Sequence, residues 1–175
     1  YKASVGVMTK DDLTAEVLAQ LNAKVTNKAY LNDKIPFAYN YIDKNYTVDH
    51  VKDSAGEHGS HVEGIAAANA YIPNGDGTFS NALESVFVQG VAPDAQIVAM
   101  KVFGAGGGAY DTDYMAAIED AIVLGCDSVN LSLGSGSAGF SRVRSEFTDI
   151  MDSLTANGVV VCMSAGNSSN WASNS

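Results

Sequence analysis

The sequence predicts an α/β fold, a parallel sheet flanked by helices on both faces. Three observations carry this. From Gly90 onward the chain alternates strand, helix, strand, helix, strand. The strand segments are near-continuous apolar runs, as in sheets covered on both sides. Each intervening helix closes on a glycine, Gly125 and Gly158, the residue that most readily takes a left-handed C-terminal cap. At 175 residues and 46% apolar content, the chain amounts to one domain or part of a larger one.

Each element has its own signal. Residues 9–24 carry Leu13, Val17, Leu18 and Leu21 at helical spacing, with Thr9 as the cap. Residues 34–42 alternate enough to form a strand, and residues 43–57 are polar and loop-like. His58 leads into Gly64-Ile65-Ala66-Ala67-Ala68, which predicts a tightly packed helix of small residues. Residues 69–89, with Pro73-Asn74-Gly75-Asp76-Gly77-Thr78, read as an exposed loop. Residues 96–103 form an apolar strand, followed by the glycine-rich loop Gly104 to Gly108. Residues 114–124 are helical, 128–133 a strand, 141–157 a helix and 159–163 a strand that ends in Ser164-Ala165-Gly166-Asn167. In open parallel sheets the ligand sits beyond the carboxyl ends of the strands. The loops after Phe103, Leu133 and Met163 are therefore expected to line one crevice. There is no internal repeat and no low-complexity linker.

Composition narrows the function. Ten Lys and Arg stand against 20 Asp and Glu, for a net charge of −10. That argues against nucleic acid or an anionic membrane as partner, because phosphate binding needs clustered cations. No apolar run reaches the roughly 18 residues of a membrane span. The chain begins mid-pattern at Tyr1, so a further upstream segment is expected. Cys126 and Cys162 have no metal-ligand spacing and fall near opposite ends of neighbouring strands. They are expected to be buried free thiols.

The chemistry begins with His58-Gly59-Ser60-His61-Val62-Glu63-Gly64-Ile65. A histidine at a helix start is well placed as a general base, because the positive end of the helix works against a second charge on the ring. Three further segments follow in order: Gly90 to Phe103, Val129 to Gly134, and Ser164 to Asn167. Together these resemble the subtilisin-like serine proteases, the subtilases. His58 to Ile65 is similar to that family's catalytic-histidine motif. Gly90-Val91-Ala92-Pro93-Asp94 and the strand after it resemble its next core strand. Residues 1–57 and 69–89 look more like the lactocepin-like cell-envelope proteinases than the compact subtilisins.

The resemblance implies a subtilisin-like three-layer architecture, of which this chain is a part. Residues 58–175 would be the catalytic-core segment, and residues 1–57 a less legible amino-terminal segment of the same domain. It implies a polypeptide substrate cleaved by acyl-enzyme chemistry at the cell surface or outside the cell. His58 would be the base and His61 structural. Asn167 would offer its side-chain amide to the oxyanion; alone it would read as a turn residue after glycine. Ser132-Leu133-Gly134 and Ser164-Ala165-Gly166 would be the two walls of the substrate pocket, able to pair with an extended peptide. Gly106-Gly107-Gly108 would border neighbouring subsites, against the plainer reading of a flexible loop. No cofactor is required for this chemistry. Structural calcium is possible in a longer parent protein, but Asp76 lacks the carboxylate series of a calcium loop and reads as a turn. Zinc on His58 and His61 is disfavoured, since helical ligands prefer the i,i+4 spacing. A phosphate cradle at Gly104 to Gly108 lacks the Gly-x-Gly-x-x-Gly pattern.

The chain also departs from the family. The family's aspartate follows an apolar strand and precedes Ser-Gly or Thr-Gly, and Asp43, Asp49 and Asp53 lack that context. Ser168, Ser169, Ser173 and Ser175 lack the Gly-Thr-Ser-Met-Ala setting of the nucleophile. The remainder of a catalytic domain is therefore expected to supply both groups, and the isolated chain to be inactive. Glu63 stands where a small residue is usual. A catalytically dead relative, using the same fold for binding or regulation, is the alternative. An unrelated parallel α/β binding domain is a further one.

Overall fold

The computed structural model describes residues 7–54, 56–87, 89–134 and 145–164. In chain order the elements are α1 (Ala15–Gln20), β1 (Phe37–Asn40), α2 (His58–Ala67), β2 (Tyr71–Pro73) and β3 (Phe79–Asn81). There follow β4 (Val98–Lys101), α3 (Asp111–Val123), β5 (Ser128–Leu131), α4 (Ser145–Ala156) and β6 (Val160–Met163). The chain divides into two compact units, residues 1–117 and 118–175.

In the first unit, β1 and β4 pair in parallel, with Phe37 opposite Val98 and Asn40 opposite Lys101. All four residues of β1 are buried, so both faces of that strand are covered, where the alternation over residues 34–42 implied only one. The core around it holds Phe37, Ala38, Tyr39, Tyr41, Leu13 and Leu21. Tyr39 meets Tyr41 edge to face at 5.1 Å between ring centres.

The helix predicted over 9–24 is shorter than its spacing implies. Thr9 caps a single 3₁₀ turn at Lys10–Asp12, sharing the Asp12 carboxylate through its amide at 2.7 Å and its hydroxyl at 2.8 Å. Thr14 then starts α1 afresh by accepting the Val17 amide at 3.3 Å. Two local caps outcompete one continuous helix.

Residues 69–89 are more than a loop. Tyr71–Pro73 and Phe79–Asn81 form an antiparallel hairpin, with Tyr71 opposite Asn81. The turn is built by side chains. Asp76 accepts the Thr78 amide at 2.9 Å and its hydroxyl at 2.6 Å. Gly75 and Gly77, at φ of 83° and 88°, supply left-handed backbone. The Asp76 carboxylate is spent inside this turn, and the Thr78 hydroxyl and amide hold it below the usual carboxylate range.

In the second unit, β5 and β6 pair in parallel, Ser128 opposite Val160 and Leu131 opposite Met163. Leu154 and Ile150 of α4 are buried. Both predicted closing glycines sit at φ of 72°. The Cys126 amide reaches Ala121 and the Gly125 amide reaches Ile122, each at 3.0 Å. The Val159 amide reaches Leu154 at 2.9 Å and that of Gly158 reaches Thr155 at 3.0 Å. Both ends are therefore Schellman caps.

One expectation fails here. Cys126 and Cys162 are free, but Cys162 is exposed and Cys126 only partly buried. Alternation along β6 puts Cys162 on the same face as Val160, which is 61% exposed. The covering of both faces seen at β1 does not extend to β6 among the described residues.

Candidate active site

His58 is the first residue of α2 and is exposed. Its helix is built for close approach. Gly90 lies so near that a β-carbon on it would stand 2.2 Å from the Ala68 amide nitrogen. The Gly90 amide donates to Ala68 at 3.1 Å, that of Val91 to Ile65 at 3.0 Å and that of Ala92 to Ala66 at 2.8 Å. The segment Gly90–Ala92 thus satisfies the orphan carbonyls at the end of α2. The small residues that flagged this helix are what allow the contact.

The other end of α2 is fixed by its approach loop. The Asp53 amide donates to His50, and the Gly56 amide to Asp53, both at 3.0 Å. Gly56 takes φ of 58°, and the His61 amide then closes the first helical turn on Glu57 at 2.9 Å. His61 is exposed like His58.

The glycine loop lies beside this approach. The Ser54 amide donates to the Ala105 carbonyl at 2.8 Å. Within the loop, the Gly107 amide donates to Gly104 at 2.8 Å and the Gly104 amide to Gly108 at 2.9 Å. Gly107 has φ of 77°, and a β-carbon there would meet the Ser54 hydroxyl oxygen at 3.0 Å. Gly106, Gly107 and Gly108 lie in a turn bonded between Gly104 and Gly108, beside Ser54.

Lys101, at the end of β4, donates to the Asp49 carbonyl at 2.7 Å and pairs with the Asp53 carboxylate. Lys101 did not stand out in the sequence, although a lone lysine ending an apolar strand is the available signal. Asp43, Asp49 and Asp53 are each engaged. Asp53 faces Lys101, Asp43 accepts the Asn40 side-chain amide at 3.0 Å, and Asp49 accepts the Val51 amide at 3.2 Å.

In the second unit the loops after β5 and β6 meet. The Ser164 hydroxyl donates to the Leu133 carbonyl at 2.9 Å, and its amide to Leu131 at 3.2 Å. Ser132 accepts the Asn130 side-chain amide at 2.9 Å. Gly134 follows, exposed. The two predicted pocket walls thus adjoin at Leu133 and Ser164. Ala165, Gly166 and Asn167 lie outside the described residues.

The chain is 38% identical over 143 residues to a PII-type proteinase of Lactococcus lactis subsp. cremoris, covering 79% of this chain and 7% of that protein. It is 30% identical over 172 residues to a C5a peptidase of Streptococcus pyogenes serotype M3, covering 97% of this chain and 13% of that one. The chain therefore spans a small fraction of the length of these relatives. The lactococcal match agrees with the branch that residues 1–57 and 69–89 resemble. Among solved structures, sphericase is 28% identical over 61% of this chain and 31% of its own, with a TM-score of 0.44. The family profile described as "Subtilase family" matches residues 14–175. The chain belongs to the subtilase family.

Proposed function

We propose that this chain is a segment of a serine endopeptidase, carrying its general base, substrate-pocket walls and oxyanion donor. His58 takes the proton from a serine hydroxyl as that oxygen attacks the peptide carbonyl. Asn167 donates its side-chain amide to the negative oxygen of the tetrahedral intermediate. His58 then gives its proton to the leaving amine, and water repeats the sequence on the acyl-enzyme. The family resemblance assigns Ser132, Leu133 and Gly134 and Ser164, Ala165 and Gly166 to the two pocket walls, and Gly106, Gly107 and Gly108 to the neighbouring subsites. The aspartate and the serine come from the remainder of the catalytic domain.

The observation that carries this reading is the family match over residues 14–175, within which the four motif segments fall in family order. The backbone bonds made by Asp53, Ser54 and Gly56 ahead of His58 support it, because a general base must be held in place to be effective. The chemistry needs no cofactor. We place the parent enzyme outside the cell or at its surface, on the resemblance to cell-envelope proteinases.

A serine-directed fluorophosphonate tests the reading. The complete catalytic domain is expected to label, its H58A variant to lose labelling, and the isolated chain to remain unlabelled. Labelling of the isolated chain would overturn the assignment of an external nucleophile. An inert complete domain that still binds peptides would replace the protease with a binding module.

A further inference from the structure

We propose that Lys101 is a positioning residue for the His58 imidazole, acting through the loop that leads into α2. The proposal rests on the reading of His58 as the base.

Lys101 is itself well anchored. It ends β4 opposite Asn40, and its carbonyl accepts the Tyr41 amide at 2.8 Å. Asn40 is 2% exposed, and its side chain ties off the end of β1. Its amide reaches Thr47 at 2.9 Å, and its oxygen accepts the Asp43 amide at 3.0 Å. Lys101 therefore projects its ammonium from a rigid strand end. The ammonium holds the approach loop at two points, the Asp49 carbonyl and the Asp53 carboxylate. The two side chains of the ion pair are only 13% and 15% exposed, so water screens their attraction weakly.

Bonds on described residues tie the backbone between Asp53 and the first turn of α2. Asp53 accepts the Gly56 amide, Ser54 is bonded to Ala105, and Glu57 accepts the His61 amide. One cation thus fixes the backbone that delivers the base. A base shifted by about 1 Å loses on the order of 10²-fold in rate. The same loop touches Gly107 through Ser54, so a substrate-binding role for Lys101 is the competing possibility that the kinetics must separate.

The experiment uses the full-length protease that contains this chain and an internally quenched peptide that it cleaves. Wild type is compared with K101M, K101R, D53N and H58A. H58A is expected to lose more than about 10³-fold in kcat. K101M and D53N are expected to lower kcat by about 10- to 100-fold, with KM within about twofold. K101R should recover kcat to within about threefold of wild type, since its guanidinium also reaches two oxygen acceptors. If H58A is inactive while K101M keeps kcat within about twofold of wild type, the positioning role is wrong and the base assignment stands. A raised KM with unchanged kcat in K101M, or failure of K101R to recover, overturns it equally. An H58A variant with wild-type activity removes the base reading and this proposal together. Should K101M lose its fold by circular dichroism, D53N, which keeps the size of the side chain, decides by the same criteria.

Discussion

Gly90 approaches Ala68 so closely that any side chain on Gly90 would collide with backbone, 2.2 Å from an amide nitrogen and 2.5 Å from the Ala67 carbonyl carbon. Backbone cannot rotate aside as a side-chain tip can. G90A is expected to cost about 3 kcal/mol or more, by breaking the three bonds that close α2 or by pushing the segment away. Gly64, in the middle of the same helix, has nothing within 4 Å of the equivalent position. G64A is expected to gain about 0.5–1 kcal/mol from helix propensity. Chemical denaturation of the two variants should therefore give midpoints on opposite sides of wild type. Equal effects would mean that the contact at Ala68 is not tight.

The two thiols should react at very different rates. Burial first, and the neighbouring Asp127 carboxylate second, push the Cys126 thiol up to about 11. At pH 8 roughly one part in a thousand of it is then thiolate, the reactive form. Cys162 is exposed on β6. Stopped-flow labelling with a chromogenic disulfide should show a fast phase of one thiol and a slow phase at least about 100-fold slower. C162S should remove the fast phase. Loss of the slow phase instead would contradict the burial of Cys126.

What the sequence revealed depended on the range of the physics. Gly125 and Gly158 were legible because a helix end needs a left-handed residue at one position, and glycine supplies it. The helix α2 was legible from its run of small residues, Gly64 to Ala68. The hairpin was not, because its strands are three residues each and nearly all exposed, leaving no burial pattern to read. The interruption at Thr14 was hidden by leucines that keep helical spacing across it. The tie from Lys101 to Asp53 joins residues 48 apart, and no periodicity records such a bond.

Glu63 should make the chain less stable at neutral pH than its neutral analogue. Burial on α2 raises its pKa above the usual 4.5. A carboxyl raised in the folded state favours folding while it is protonated in both states. That advantage is fully present below the unfolded value and is lost as pH rises through the folded one. E63Q should therefore melt higher than wild type at pH 7, and the two should converge below about pH 4. Thermal melts at the two pH values check this. A lower melting temperature for E63Q at pH 7 would mean that the carboxylate has a stabilising partner in the fold.

Asn167 gives the sharpest test of the catalytic assignment, because an oxyanion donor acts on the transition state and not on the bound substrate. A group of that kind changes kcat and leaves KM nearly alone. In the complete protease, N167A is expected to lower kcat by about 10²–10³-fold, the range seen when one such donor is removed from a subtilisin. KM should stay within about threefold. A turn residue would behave differently, because its loss would displace the strand end after Met163 and weaken peptide binding with it. N167G separates the two, since glycine preserves a turn but supplies no amide. If N167G keeps wild-type kcat, Asn167 is a turn residue and the oxyanion donor must be sought elsewhere.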